Sequence, residues 1–237
     1  MNKKNLTSNS LFYKPYLYYD IYIKNKYLKK RNSYSQHGED SIIIEYFKNN
    51  GRGIYLDLGC YHPIKYSNTN LLFQNLWQGI NIDMNPMTID LFKIARPKDF
   101  NLCEAISNEE KKEIAYFDDY VSPINTLNKN FSDYASKKIS LRTHKKKEIN
   151  TLTLESIIKK NNINLKKIDF LNIDIEGMDY DVLTSIDLKK YNPKVICVEM
   201  YDKNFKLDKA KFENYLNNYQ YSLKNFVGSN TGIFVLD

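Results

Sequence analysis

No stretch of this 237-residue chain approaches the about 18 uninterrupted apolar residues that a membrane-spanning helix needs, so the sequence predicts no transmembrane segment. Its first residues, MNKKNLTSNSLFYKPY, lack the apolar core and the small-residue cleavage site of a secretory signal. Cysteine is scarce. Cys60, Cys103 and Cys197 are odd in number, far apart and form no CxxC pair. The expectation is three reduced, mostly buried thiols in a cytoplasmic protein. Glycine is scarce too, with eight residues and no GxGxxG. That counts against a pyrophosphate clamp and hence against an NAD-type oxidoreductase. What is present, 42% hydrophobic and 27% charged residues, is a globular composition and not a disordered one. The length suits roughly one to two domains with a real core.

Acid is missing from one region. Residues 1–31 hold eight cations and a single acid, Asp20, while residues 32–237 hold 27 of each sign. The formal net charge of +7 therefore belongs to a tyrosine-rich N-terminal segment and not to the body of the chain. A positive surplus invites a nucleic-acid reading, in which tyrosines interleaved with cations stack bases and neutralise phosphates. Its confinement to about thirty residues argues against nucleic acid as the main partner. The same segment, residues 1–33, could instead pack on a partner chain, as in a homo-oligomer, or on an anionic membrane surface.

Helix is expected over about 16–30 and, with Asp40 or Ser41 at the N-cap, over 41–47. Strands are expected at 54–58, 80–83, 100–106, 168–173 and 195–198. Between them lie helices at 71–76, 87–94 behind Pro86, 154–160, 182–186 and 209–217. Segments 114–117 and 148–152 read as strands of an insertion. They flank an irregular, lysine-rich stretch at 118–147, broken at Ser122-Pro123. So long an excursion is expected to be a functional loop or lid. Residues 219–226 and 232–236 read as a closing antiparallel hairpin. Strands alternating with helices imply an α/β fold, a mainly parallel sheet with helices on both faces. Such sheets bind ligands beyond the carboxyl ends of their strands, where the winding reverses.

Acids collect at those ends. Asp57-Leu58-Gly59-Cys60 closes the first strand, and Gly59 would let the backbone turn sharply and approach a ligand. Asp83 ends the second, where an acid can accept hydrogen bonds from both hydroxyls of a ribose. Its separation of 26 residues from Asp57 suits one strand–helix–strand unit. Asp174-Ile175-Glu176-Gly177-Met178-Asp179 follows the strand at 168–173, and Glu199 follows the strand at 195–198. Asp174 and Glu176 would share one face of a continuing strand. Such carboxylates suit a general base or a hard divalent cation, Mg2+ or Mn2+. Asp179 suits capping of the next helix. His62 and His144 are the other candidate bases.

Several fragments carry a resemblance. They are Ser35-Gln36-His37-Gly38-Glu39-Asp40, Tyr55-Leu56-Asp57-Leu58-Gly59-Cys60-Tyr61-His62-Pro63, Ser67-Asn68-Thr69 and Trp77-Gln78-Gly79-Ile80-Asn81-Ile82-Asp83. Arg96-Pro97-Lys98-Asp99, Ile168-Asp169-Phe170-Leu171-Asn172-Ile173-Asp174-Ile175-Glu176-Gly177 and Val195-Ile196-Cys197-Val198-Glu199 complete the set. In this order, over about residues 34–237, they resemble the FkbM-type family of S-adenosylmethionine-dependent methyltransferases. The resemblance implies a Rossmann-like methyltransferase domain at 34–237, with seven strands and an antiparallel last hairpin. It implies that Asp57 and Gly59 shape the methionine end of the cofactor site, with Cys60 also near the cofactor. Asp83 would hold the ribose, with Met84 also near the cofactor, and Cys103, Glu104, Ala105 and Ile106 would border the adenine. Gln36, Gly38, Asp40, Ser67, Asn68, Thr69 and Asp174 would also lie near S-adenosylmethionine. Because Cys60-Tyr61-His62-Pro63 offers few glycines, helix amides at 67–70 are candidates for the methionine carboxylate.

The family resemblance implies O-methylation, often of a sugar or polyketide-derived hydroxyl. With no additional domain to name a polyketide, the expected acceptor is a sugar of a surface glycan such as capsule or lipopolysaccharide, free or nucleotide-linked. Asp174, Glu176, Glu199 and His62 are the expected catalytic residues, the first three also as metal ligands. Lys137, Lys138, Arg142, Lys145, Lys146 and Lys147 of the long loop could meet an acceptor phosphate, or form a solvated basic loop. The rival readings are a nucleic-acid-binding protein and a methyltransferase-fold scaffold without activity.

Overall fold

The computed structural model describes residues 8–25, 31–49, 51–117, 122–138 and 145–237. The N-terminal helix α1 (Tyr13–Tyr19) is continued by one π-helical turn, Asp20–Lys24. The rest of the helix expected to reach residue 30 lies outside the described residues, as do His144 and Arg142. Helix α2 (Glu39–Tyr46) begins earlier than expected, with Gly38 at its N-cap and not Asp40 or Ser41. The reason is that the Asp40 carboxylate is drawn back to the Ser33 and Ser35 hydroxyls and the Tyr34 amide.

There follow β1 (Ile54–Leu58), α3 (Asn70–Gln74), β2 (Gln78–Asp83), α4 (Pro86–Ala95) and β3 (Phe100–Cys103). Helix α4 is started by the Asn85 side chain, which accepts from the Met87 amide, with Pro86 in the first turn. The strand expected at 100–106 is broken at Glu104, whose amide turns to the Asp83 carbonyl. Beyond it β4 (Ala105–Ile106) leaves the main sheet. With β5 (Lys112–Phe117) and β6 (Lys145–Leu152) it forms a small three-stranded sheet in the order β4-β6-β5. The segment read as irregular at 118–147 contains helix α5 (Lys129–Lys138). The Asn128 side chain caps it by accepting from the Asn130 and Phe131 amides. Phe131 and Ala135, one turn apart, bury its inner face.

The chain continues through α6 (Leu154–Lys160), β7 (Phe170–Ile173), α7 (Asp179–Ser185), the unexpected short α8 (Leu188–Tyr191) and β8 (Val195–Glu199). It closes with α9 (Lys209–Asn217), β9 (Tyr221–Val227) and β10 (Thr231–Leu236). The main sheet has seven strands in the order β3-β2-β1-β7-β8-β10-β9. All pairs are parallel except those of β10, which runs antiparallel to β8 and β9. This is the Rossmann-like α/β sheet with a closing hairpin. The winding moves outward from β1 through β2 and β3, then restarts at β7 on the other side of β1. The switch point is thus the β1–β7 pair, held in register Asp57↔Asn172.

Alternation along the strands splits the core in two. Leu56, Leu58, Ile80, Ile82, Leu171, Ile173, Ile196 and Val198 pack on one face with α6, α7 and α9. Tyr55, Phe170, Val195 and Cys197 pack on the other with Ile43 and Phe47 of the α2 region and Trp77. A third cluster seats Tyr13, Leu17 and Ile21 on Met87 and Leu91 of α4, so α1 is docked on the domain. Two thiols are buried as expected, but Cys103 is exposed because it ends an edge strand.

Candidate active site

Two connected clefts open at the carboxyl ends of β1, β2, β7 and β8, sharing Gly59, Tyr61, Pro123, Asp174 and Glu176. They hold about 530 and 1220 Å³ of open space. The floor is made where β1 and β7 leave the sheet. Gly59 adopts φ +77°, and a β-carbon there would lie 1.8 Å from the Asp174 carbonyl oxygen. Only glycine permits this approach.

Beside it Asp57 is 2% exposed. It accepts hydrogen bonds from the Thr69 hydroxyl at 2.6 Å and the Asn172 amide at 2.9 Å. Asn68 in turn donates to Asn172 at 2.9 Å. Burial raises the Asp57 pKa, with Thr69, Arg96 and Asn172 opposing it. Arg96, wholly buried, organises the loop after β1. It donates to Tyr55 and Thr69 hydroxyls at 2.9 Å, to the Pro63 carbonyl at 2.6 Å and to the Ser67 hydroxyl at 3.0 Å. Arg96→Met removes the cation but leaves these acceptors buried. We expect a loss of about 3–5 kcal/mol in urea unfolding.

The smaller cleft is bordered by Asp83, Met84, Glu104, Ala105, Ile106 and Leu127. Asp83 ends β2 and accepts from the Asn85 amide at 2.7 Å and the Tyr61 amide at 3.1 Å. Burial pushes its pKa up to about 6. The Glu104 carboxylate is paired with Lys160 at 2.7 Å.

The larger cleft is acidic. Asp174, Glu176 and Glu199 each bring a carboxylate oxygen within 4.8 Å of the others. Glu39 and Asp57 also line it, and among the described residues no lysine or arginine does. Glu199 accepts from the Asn230 amide at 2.6 Å. Burial raises all three of the clustered pKa values. Asp174 is pushed up to about 8, with the charges of Asp179 and Asp57 adding to the effect. Glu199 adds most to Glu176 after burial, and Asp174 adds most to Glu199. Asp179 accepts from the Ile175 and Gly177 amides at 2.9 Å, fixing the turn that carries Glu176. Among the described residues eight non-glycine positions have positive φ. Four of them, Tyr61, Tyr66, Glu176 and Phe205, line this cleft. Strain of this kind concentrates where a fold over-determines a functional surface.

Other sequence candidates fall elsewhere. Gln36, Cys60, Ser67 and Asn68 line the larger cleft, whereas Gly38, Asp40 and Thr69 line neither. Gly38 begins α2 with φ +94°, and Thr69 is wholly buried on Asp57 and Arg96. His62, a candidate base, lines neither cleft and both its nitrogens are engaged. Nδ1 accepts from the Ile64 and Lys65 amides, so Nε2 carries the proton and donates to Asp20 at 3.0 Å. Burial lowers the His62 pKa although Asp20 opposes it. Burial also penalises the Asp20 charge, but His62 and Lys24 more than offset this and hold its pKa low. Lys137, Lys145, Lys146 and Lys147 are exposed and line neither cleft.

The 122–138 segment does form a wall. The Thr126 hydroxyl donates to the Glu176 carbonyl and the Asn128 amide to the Gly177 carbonyl, both at 2.8 Å. Tyr134, Tyr201 and Phe205 make an aromatic group at the mouth, with Tyr201 and Phe205 centroids 4.2 Å apart and Tyr134 and Phe205 4.8 Å apart. The sequence carried no sign that these three would meet. Glu39 was visible only as part of a motif.

Comparison with known proteins gives one family. The model of the methyltransferase FkbM domain matches residues 47–223. No curated protein and no solved structure matches the chain.

Proposed function

The chain belongs to the methyltransferase FkbM domain family, and from that premise we propose that it is an S-adenosylmethionine-dependent O-methyltransferase acting on a sugar hydroxyl. The observation that carries the reading is the cleft at the β1–β7 switch point, lined by five carboxylates and, among the described residues, by neither lysine nor arginine. That donor set suits a sulfonium with an attached ammonium. The neighbouring apolar cleft, with Asp83 at its edge, suits a ribose and purine. When bound, S-adenosylmethionine supplies an electrophilic methyl group.

The residues of this chain supply alignment and proton transfer. Asp83 accepts from the ribose hydroxyls, Met84 and Ala105 border the purine, and Gly59 lets the backbone approach the methionine part. Asp174 takes the proton of the acceptor hydroxyl, and burial with the charges of Asp179 and Asp57 raises its basicity. Tyr134, Tyr201 and Phe205 present aromatic faces to the sugar. Among the described residues no lysine or arginine lines the cleft, so a phosphate of a nucleotide-linked sugar would find no such partner there. A second reading rests on the three carboxylates within 4.8 Å. Hard oxygen donors of this kind fit Mg2+ or Mn2+, which would lower the pKa of the acceptor hydroxyl. Ligand oxygens on Mg2+ lie at most about 4.2 Å apart, so the side chains would have to draw together.

The test is incubation with methyl-labelled S-adenosylmethionine and a panel of free and nucleotide-linked sugars, with products identified by mass. A methylated sugar is expected. Absence of methylated product across the panel would overturn the sugar assignment. Loss of activity on exhaustive chelation, restored by Mg2+ or Mn2+, would select the metal reading.

A further inference from the structure

We propose that the outer face of α1 docks the protein on an anionic lipid surface. Among the described residues thirteen large hydrophobic side chains are exposed, and six of them lie between Leu11 and Ile23. They are Leu11, Phe12, Tyr18, Tyr19, Tyr22 and Ile23, from 45% to 87% exposed. Their spacing of three to four residues puts them on one side of the helix with exposed Pro15. The opposite side, Tyr13, Leu17 and Ile21, is already consumed by α4. The helix is therefore apolar on two faces: the inner one packs on α4, and the outer one is exposed among the described residues.

Charge selects the occupant. Residues 1–31 carry the entire net surplus of +7. Their single acid, Asp20, is 2% exposed and turned inward onto Lys24 and His62. The outer face thus presents tyrosines and aliphatics beside cations, with no exposed acid among its described residues. Tyrosine with its polar tip suits the lipid headgroup region, and nearby lysines are attracted by anionic lipid. A second copy would bring the same positive segment and be repelled. Nucleic acid would use the tyrosines and cations but leave Leu11 and Ile23 in water, since aliphatic side chains do not stack on bases.

The test uses the full chain and two vesicle types, phosphatidylcholine alone and phosphatidylcholine with about a third phosphatidylglycerol. Co-sedimentation is expected with the anionic vesicles only, and it should fall as salt rises. The combined variant Phe12→Ser, Tyr18→Ser, Ile23→Ser alters exposed positions, so its melting temperature should be unchanged. Its vesicle partition should fall by about tenfold or more. Tyr18→Trp gives an independent readout. The sole native tryptophan, Trp77, is 5% exposed, so a blue shift on adding vesicles would come from the new indole. Equal binding to neutral vesicles, or full binding by the serine variant, would overturn the proposal. So would a dimer that the serine variant dissociates without any vesicle binding, or binding to single-stranded oligonucleotides and not to vesicles.

Discussion

Asp174→Asn is expected to reduce methyl transfer by about 10²–10⁴-fold while making the protein more stable above neutral pH. The two effects share one cause. Asp174 follows β7 at the switch point, with its amide tied to the Leu58 carbonyl at 3.0 Å. Its carboxylate faces burial and then the charges of Asp179, Asp57, Glu39 and Asp83, which push its pKa up to about 8. A base is useful only when ionised. The kcat/KM of the native enzyme should therefore rise with pH and level off above about 8, and the residual activity of the asparagine variant should lose that inflection.

The stability sign follows from the same shift. The folded-state pKa lies above the unfolded value, so folding is penalised at any pH at which Asp174 would be ionised in the unfolded chain. The penalty is absent below about pH 4, grows as pH rises and is complete above about pH 8. Asparagine removes it. Thermal unfolding should show a gain of about 1–3 kcal/mol at pH 8.5 and almost none at pH 4.5, the figure being reduced because the side chain is partly open to water. Full turnover by the variant would remove Asp174 from the mechanism. An identical melting temperature at both pH values would remove the electrostatic account.

What sequence could say about this site was set by how local each feature is. The run Ile54-Tyr55-Leu56-Asp57-Leu58 forms a strand with the bounds its pattern predicts, because a buried parallel strand is recognisable from its own side chains. Helices Leu154–Lys160 and Lys209–Asn217 were equally legible, each opened by a capping side chain, Thr153 or Asp208. The strand-end acids were visible for the same reason, and alternation of strands and helices placed their ends at one edge. Features made by distant segments were not visible. The Tyr34 amide and the Ser33 and Ser35 hydroxyls that draw Asp40 away from a cap belong to a loop five to seven residues back. Helix Lys129–Lys138 is polar over most of its surface and gains its buried side against Ile124 and Phe205. His62 looked like a base because it follows the first strand. Its engagement by Asp20, 42 residues earlier, could not be read from spacing. Arg96 stood in a recognised motif, yet its service to four groups between Tyr55 and Thr69 needs the fold.

Gly59→Ala should be the most damaging single methyl group in the chain. Two costs add there. The residue sits at φ +77°, a conformation that costs an L side chain about 1–2 kcal/mol. The new β-carbon would also lie 1.8 Å from the Asp174 carbonyl oxygen, 2.7 Å from its carbon and 3.0 Å from Ile175 Cγ2. Two of those atoms are backbone of the neighbouring strand's exit, so no side-chain rotation relieves the clash. The ends of β1 and β7 must part by more than an ångström, and Asp174 moves with them. Gly51 is the control. It has φ +68° but nothing within 4 Å of its β-carbon position, so Gly51→Ala pays the conformational cost alone. Urea unfolding should therefore give about 1 kcal/mol for Gly51→Ala and at least about 3–5 kcal/mol for Gly59→Ala. Calorimetry on whatever folded Gly59→Ala protein is recovered should show S-adenosylmethionine affinity reduced by at least about tenfold, with Gly51→Ala unchanged. Equal losses from the two variants would mean that the β1 and β7 exits are not in contact and that Gly59 does not shape the floor of the cleft.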